Sequence, residues 1–415
     1  MLVWIFQTGE PLQIDQNNVR PMRAINLANT LVEMGHQVII WSTDFYHQEK
    51  KHRFGTYKEI RFSKSIEIRL VPSPGYIKNV GIGRLWDHFI LSRNLSKILS
   101  KEESKPDIGF VGYPPIESAS VMVSWFKKNK ISVVLDVKDQ WPTIFVEAFP
   151  RFLRPIATVL FFPYFYLGRK VMRDATALSS ITPSFLQWAL SFGGRAFGRF
   201  DKVAPLSSLT SSINEADLIE AGKWWDSKGV FNDKRARFIF VGSHTRAFDM
   251  SPIRNAAMRF KDCQFVICGS GEHQLQWQSK FEGLKNVVFP GWVDRAKIKV
   301  LASRSMAALA PYKNSKDFQM SIPNKIIDYL SFGLPVLSPL LGEVYDLIKN
   351  QSVGMIYSEK DDIKLEDCIF KLKGDSKLAS KLSKNAFHTY TSMFDHESIY
   401  KSLVKTLEAI SRNGK

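Results

Sequence analysis

MSIPNKIIDYLSFGLPVLSP (residues 320–339) reads as a short helix that turns sharply into a strand. Ser321 is placed to cap the helix, and Pro323 is tolerated in a first turn. The free N–H groups and dipole of that end make an anion site, and Lys325 adds a full positive charge. Asp328 stands one turn further on, suited to a pair of neutral hydroxyls such as those of a ribose. Gly333 supplies a left-handed C-terminal cap, and Leu334-Pro335 turns the chain into the next strand. A helix that only packs needs neither the charged opening nor the lone acid.

Outward from this helix, strand and helix signals alternate along the whole chain. In the second half RFIFVGS (237–243), CQFVICGSG (263–271), NVVFPGW (286–292) and MAALAPY (306–312) are strand-like and end in Gly, Pro or polar turns. In the first half Leu2 to Phe6, HQVIIWST (36–43), PDIGFVGY (106–113) and ISVVLDVKD (131–139) repeat the pattern. Helical stretches at 22–34 and 118–130 lie between them. Strands alternating with helices imply βαβ units and parallel sheets. The fold class is α/β, with two doubly wound Rossmann-like halves, and ligands are expected beyond the carboxyl ends of the strands. The Ser/Thr/Pro-rich stretch 202–217 reads as the linker. The domain reading is 1–205, 206–395, and a C-terminal amphipathic helix over 396–415.

The chain has 415 residues, a length that fits two domains. Three cysteines (Cys263, Cys268, Cys368) are too few for a disulfide framework, and their spacing lacks a zinc pattern; they read as buried thiols of a reducing compartment. The N-terminal run MLVWIFQTGEPL reads as a first strand rather than a signal peptide. No transmembrane helix is expected. The formal net charge of +17 attracts a polyanion: nucleic acid, an anionic membrane or a phosphorylated substrate.

The turns after the strands carry the candidate site. Gly242, Ser243 and Arg246 follow the first strand of the second half, and an Arg there offers a forked donor set to a phosphate. Gly269 and Gly271 form a G-x-G turn, but neither a third glycine nor a ribose acid follows at dinucleotide spacing, which disfavours nicotinamide binding. Gly291 and Trp292 close the third turn, with Trp292 either a stacking plate or a core residue.

These stretches resemble the retaining glycosyltransferase family four, the glycogen-synthase-like sugar-nucleotide transferases. PNKIIDYLSFGLPVLS resembles the donor-binding helix of that family, and the FVGS, ICGSGE and NVVFPGWVD turns fall in its order. The resemblance implies a GT-B fold, two Rossmann-like domains facing a central cleft, with the donor on the second. It implies a nucleotide-diphosphate-sugar donor, expected to be a UDP-sugar, with no metal or other cofactor. Asp328 stands where the family has the second Glu of its E-x7-E motif. The first would fall at position 320, which holds Met320, and Gln319 or Ser321 is left to substitute for it, with the main-chain N–H groups of loop 317–322 to hold the sugar and diphosphate; Asn324 is a further donor-binding candidate. Arg246 resembles the family's phosphate-binding Arg, without the Lys-Gly that usually follows, so Lys325 takes over that charge.

In the first half, TGEPLQ (8–13) with Gly9 and Glu10 resembles the family's first glycine-containing loop. VLDVKDQWP (134–142) resembles a version in bacterial surface-polysaccharide transferases, including those that add N-acetyl-fucosamine. Where relatives carry His-Asp this chain has Lys138-Asp139, and catalytic roles fall to Asp136, Lys138 or Asp139. Asn18, Arg20 and Tyr113 are the candidates for acceptor contact.

RFLRPIATVLFFPYFYLGRKVMRD (151–174) combines an aliphatic and aromatic surface with cations, and reads as an interfacial helix. Arg151, Arg154, Phe161, Phe162, Arg169 and Lys170 are its expected membrane contacts. The combined expectation is a retaining glycosyltransferase, peripheral on the cytoplasmic face of the inner membrane, acting on a lipid-linked glycan and not on nucleic acid. A GT-B sugar-nucleotide epimerase, a basic nucleic-acid-binding protein and an inactive family member are the alternatives.

Overall fold

The computed structural model describes residues 1–15, 21–79, 81–208, 213–358 and 363–413. The chain divides into two compact units, Met1–Pro205 with Glu397–Lys415, and Leu206–His396.

Among its described residues the first unit has ten strands: β1 (Leu2–Phe6), β2 (Gln37–Thr43), β3 (Phe45–Tyr46), β4 (Lys51–His52), β5 (Lys58–Arg61), β6 (Ile66–Val71), β7 (Ile108–Tyr113), β8 (Val133–Val137), β9 (Ala177–Ser180) and β10 (Lys202–Val203). Eight form one sheet in the order β10-β9-β8-β7-β1-β2-β6-β5, while β3 and β4 make a separate small hairpin. Pairing in the large sheet is parallel except at the edge, where β5 runs antiparallel to β6. The side-chain alternation of β1 feeds two cores. Trp4 and Phe6 pack with Trp41 on one face, and Val3 and Ile5 pack with Val38 and Ile40 on the other. A parallel sheet covered on both faces needs such apolar strands.

The final helix, His396–Asn413, lays Tyr400, Leu403, Val404, Leu407 and Ile410 on the Val3–Ile5 face. The i, i+3, i+4, i+7 spacing gives it one apolar stripe, which it buries there.

Among its described residues the second unit has six strands: β11 (Arg237–Val241), β12 (Gln264–Cys268), β13 (Val287–Gly291), β14 (Ala307–Leu309), β15 (Val336–Ser338) and β16 (Gly354–Ile356). They form an all-parallel sheet in the order β13-β12-β11-β14-β15-β16. Phe238, Phe240, Phe265 and Ile267 are fully buried in its core.

The stretch 202–217 is only in part a linker. It begins as edge strand β10, paired to β9, and ends in a helix over Glu215–Ser227 whose Asn214 side chain accepts from Ala216 N at 3.1 Å. Segment 151–174 is not one helix. It is a 3-10 turn (Arg151–Leu153) and two helices, Arg154–Leu160 and Phe162–Asp174. Pro155 and Pro163 explain the break, since each lacks an amide hydrogen and starts a helix instead of continuing one. All three cysteines are buried free thiols.

Candidate functional site

The carboxyl ends of β11, β12 and β13 are laced together by main-chain bonds in the second unit. Gly242 N donates to Cys268 O (3.1 Å), Gly269 N to Gly291 O (2.7 Å), and His244 N to Ser270 O (2.8 Å). The approach is too close for side chains. A Cβ on Gly269 would sit 2.0 Å from the Gly242 carbonyl oxygen, and one on Gly271 would sit 2.6 Å from that of His244. Both glycines also have positive φ, +121° and +153°.

Helix Asn324–Ser331 packs against this edge. Two side chains one turn apart hold the last residue of β11. Lys325 Nζ donates to Val241 O, and Val241 N donates to Tyr329 Oη at 2.8 Å. The Lys325 ammonium also lies 4.8 Å from the Phe240 ring centroid and 5.2 Å from that of Phe248. Burial pushes its pKa down to about 8, and Asp328 works in the opposite direction. Asp328 and Asn324 are half-buried on the same helix. Ser243 and Arg246 are exposed in the loop after β11, and Trp292 is 72% exposed, which excludes the core reading for it.

Ser321 does not cap this helix. Pro323 occupies the N-cap position with no side-chain bond, and Ser321 Oγ instead donates to Phe318 O at 3.4 Å. The reason is a separate short helix, Lys316–Gln319, whose end claims the hydroxyl. Met320 is the C-cap of that helix. At the other end Gly333 (φ +67°) donates to Leu330 O, and Leu334 N donates to Tyr329 O, closing the turn as expected.

His244 was not legible as a site residue. Its ring is buried beside Trp277, 4.5 Å between centroids, directly behind the glycine turn. Burial pushes its pKa down, the Cys268 main chain resists, and Lys325 adds to the fall.

The first-unit candidates fall differently. Lys138 Nζ pairs with Glu10 Oε1 at 2.7 Å, and Glu10 Oε2 accepts from Ala24 N at 2.9 Å. Glu10 thus ties the loop after β1 to the first turn of helix Arg23–Glu33. Asp136 is completely buried and gripped by Arg23, with Nε to Oδ2 at 2.7 Å and Nη2 to Oδ1 at 2.8 Å. Burial alone would raise the Asp136 pKa, but the Arg23 charge and hydrogen bonds overcome it and the pKa falls. This is a structural ion pair, not a base. Asp139 is half-buried, and its Oδ1 accepts from Gln140 N at 2.7 Å. Gly9 (φ +76°) forms the turn before Glu10.

Tyr113 does not meet an acceptor. It is fully buried, and its hydroxyl donates to Trp141 O at 2.6 Å. Asn18 and Arg20 lie outside the described residues.

Of the expected membrane contacts, Arg151, Phe162 and Arg169 are exposed, with Arg169 over the Phe192 ring at 5.5 Å. Lys170 is half-buried beside Asp174 at 3.5 Å. Arg154 is partly turned inward, its guanidinium donating to Phe149 O (3.3 Å) and Glu147 O (3.4 Å). Phe161 is also turned inward, in a cluster with Phe145, Phe149 and Tyr164. The exposed apolar ridge of this segment is Phe152, Ile156, Val159, Leu160, Phe162 and Tyr166, each more than half exposed. No helix among the described residues is long and apolar enough to cross a membrane. Among the same residues no group of three or more His, Cys, Asp or Glu is placed to hold a metal ion.

The laced glycine turns and the helix beside them fall within one matched segment. Residues 235–375 match the family model Glycosyl transferases group 1. The matched segment lies within the second unit. No curated protein matches the sequence.

Solved structures align over nearly the whole chain. Sucrose-phosphate synthase from Thermosynechococcus elongatus has a TM-score of 0.72 at 12% identity, over 99% of both chains. HepE of Anabaena, solved in complex with UDP, has 0.65 at 14%, over 98% of this chain and 99% of its own. WaaG, a glycosyltransferase involved in lipopolysaccharide biosynthesis, has 0.64 at 14%, with the same coverage. At these identities the likeness establishes the fold: α/β with two Rossmann-like parts, as in GT-B glycosyltransferases.

Proposed function

We propose that the chain is a glycosyltransferase that takes a sugar from a nucleotide-diphosphate donor. The observation that carries this reading is the junction of the laced glycine turns with helix Asn324–Ser331, inside the matched segment. Gly291, with nothing within 4 Å of a would-be Cβ, leaves room for a ligand to approach the backbone, while the close packing at Gly242 and Gly269 fixes the turns around it. The helix N-terminus and Lys325 face the same strand end and supply positive potential for a diphosphate. Asp328, one turn along, takes the ribose hydroxyls. The charge of the departing diphosphate is met by Lys325, Arg246 and the helix amides, without a metal, as electrostatic stabilisation of the leaving group. UDP is the favoured nucleotide, because HepE was solved with it.

The finer reading is retention of anomeric configuration and a lipid-linked glycan acceptor in bacterial surface-polysaccharide synthesis. The exposed ridge from Phe152 to Tyr166, flanked by Arg151 and Arg169 on a chain of formal net charge +17, supports docking on an anionic membrane surface. Each basic residue near such a surface contributes about 1 kcal/mol.

A thermal-shift screen against UDP-, GDP- and dTDP-sugars tests the donor assignment. Stabilisation that grows with the concentration of one nucleotide class is expected. No stabilisation by any of the three classes would overturn it.

A further inference from the structure

We propose that the outward face of helix Ile82–Leu99, with Ile77 in the loop before it, is a second contact of the first unit with an anionic lipid surface. The inference rests on the membrane reading of the ridge from Phe152 to Tyr166 and adds a separate element to it. Ile82, Trp86, Phe89 and Arg93 follow one another at i, i+4, i+7 and i+11, so they share one side of the helix. Leu91, Leu95 and Leu99 take the opposite side and lie in one core with Trp4 and Trp41. The outward side is uncovered: Ile77 is 88% exposed, Ile82 85%, Trp86 56% and Phe89 42%. The Trp86 and Phe89 rings stack on each other, 5.7 Å between centroids, and the Arg93 guanidinium lies 5.8 Å from the Phe89 centroid.

This face and the ridge leave the same edge of one sheet. Ile77 and Ile82 follow β6, Phe152 and Phe162 follow β8, and both strands run parallel to their neighbours toward the centre of the sheet, so their carboxyl ends share an edge. Helices Ile82–Leu99 and Phe162–Asp174 cover the same sheet face, each packed against helix Ile116–Lys128 between them. Rings join the two elements: His88 lies 5.5 Å from Trp141, Trp141 4.6 Å from Phe145, and Phe145 5.3 Å from Phe161. Gly9 and Glu10 after β1, and Asp139 after β8, stand at that edge as well.

The charges select the partner. Lys78, Arg93, Lys97 and Lys101 are exposed around the apolar face. The one acid within 76–101 is Asp87, which is buried and accepts from Gly75 N at 2.7 Å. The ridge segment 151–173 contains no acid at all. Aliphatic tips and a Trp with cations around them, and no exposed carboxylate, are the make-up of an interfacial element: the apolar side chains enter the headgroup boundary and the cations meet the phosphates. Two such elements at one edge fit a broad apolar layer fronted by anions better than the bounded surface of a second protein. Once the ridge is docked, contact by the helix face is intramolecular, so each contact strengthens the other. Docking at both points holds the edge with Glu10 and Asp139 against the membrane, within reach of the head of a lipid-linked acceptor.

Flotation of the full chain with phosphatidylserine and with phosphatidylcholine vesicles tests the face, in wild type, in Ile82→Glu with Trp86→Glu, and in Ile82→Leu with Trp86→Leu. Glutamate suits an exposed helix position, and at Ile82 it stands in the first turn, where an acid is favourable, so both variants should keep the wild-type melting temperature. Wild type is expected to float with phosphatidylserine more than with phosphatidylcholine, the glutamate variant about tenfold less than wild type, and the leucine variant like wild type. Equal flotation of wild type and the glutamate variant would overturn the proposal; if Val159→Asp with Leu160→Asp still lost flotation, the ridge reading would stand without this face. A wild type that sediments as a dimer, dissociated by the glutamate pair, would also overturn it, because the face would then bind a second copy. A wild type that floats with neither vesicle would sink the membrane reading itself, and this face with it.

Discussion

The ammonium of Lys325 rests on the carbonyl oxygen of Val241, at the point where β11 gives way to Gly242. A Cβ on Gly242 would lie 1.6 Å from that nitrogen, so glycine is what lets the lysine reach the strand end. The contact fixes a cation at the mouth of the glycine turns, and its pKa of about 8 is set by burial. A bound diphosphate favours the protonated form, so binding takes up a proton at pH values above about 8. Nucleotide affinity is therefore expected to fall as pH rises from 7 to 9.5. Calorimetry at both pH values checks this, and Lys325→Met should remove most of the pH dependence along with about tenfold of the affinity at pH 7.

The same lysine has a stability signature. Its folded pKa is depressed below the usual lysine value of 10.5, so the folded state holds fewer protons than the unfolded one between about 8 and 10.5. Stability contributed through Lys325 is thus lowest below pH 8 and recovers as pH rises through that window. Denaturant melts of wild type and Lys325→Met, compared at pH 7 and pH 10, should show wild type gaining stability relative to the variant at the higher pH.

Gly269 and Gly291 separate close approach from turn geometry. Gly291 has φ +84° and nothing within 4 Å of a would-be Cβ, so Gly291→Ala bears only the left-handed strain, about 1–2 kcal/mol. Gly269→Ala adds a clash with the Gly242 main chain at 2.0 Å and should be the more destabilising of the two. Equal melting temperatures for both variants would contradict the laced-turn geometry.

Arg23 and Asp136 should behave as one unit. Removing either partner of a buried pair costs about 3–5 kcal/mol. Arg23→Met or Asp136→Asn is expected to lower unfolding free energy by that amount. The Asp136 pKa is depressed, so the pair's stabilisation is present above about pH 4, the usual aspartate range, and is lost as pH falls further, through the folded value. Asp139→Ala, by contrast, is expected to leave nucleotide binding intact and to lower turnover.

The ridge prediction is separable from the rest. Val159→Asp with Leu160→Asp places two carboxylates on an exposed apolar surface, so folding should be unaffected. Flotation with phosphatidylserine vesicles is expected to drop by about tenfold. Unchanged flotation would remove this surface from the membrane reading.

The architecture was legible because it is written in local signals. Apolar runs ending at Gly242, Gly269 and Gly291 marked the strand ends, and Gly333-Leu334-Pro335 marked the helix stop. The partners of Glu10 and Asp136 were not legible: Lys138 is 128 residues from Glu10, and Arg23 is 113 from Asp136. Only the sheet order brings them together. Ser321 was misread because a helix of four residues, Lys316–Gln319, leaves too weak a periodic signal to show that the hydroxyl is already taken. Tyr113 stands at the carboxyl end of an interior strand, as expected, yet its hydroxyl turns back into the core toward Trp141, a direction no sequence pattern records.

The most direct test of the central claim is a calorimetric titration of UDP, GDP and dTDP into wild type and Asp328→Ala. The account predicts saturable binding of one nucleotide to the wild type, UDP being favoured, and binding about tenfold weaker to the variant, as expected for a lost pair of hydroxyl contacts. Absence of saturable binding by all three nucleotides, or equal affinity in both proteins, would contradict it.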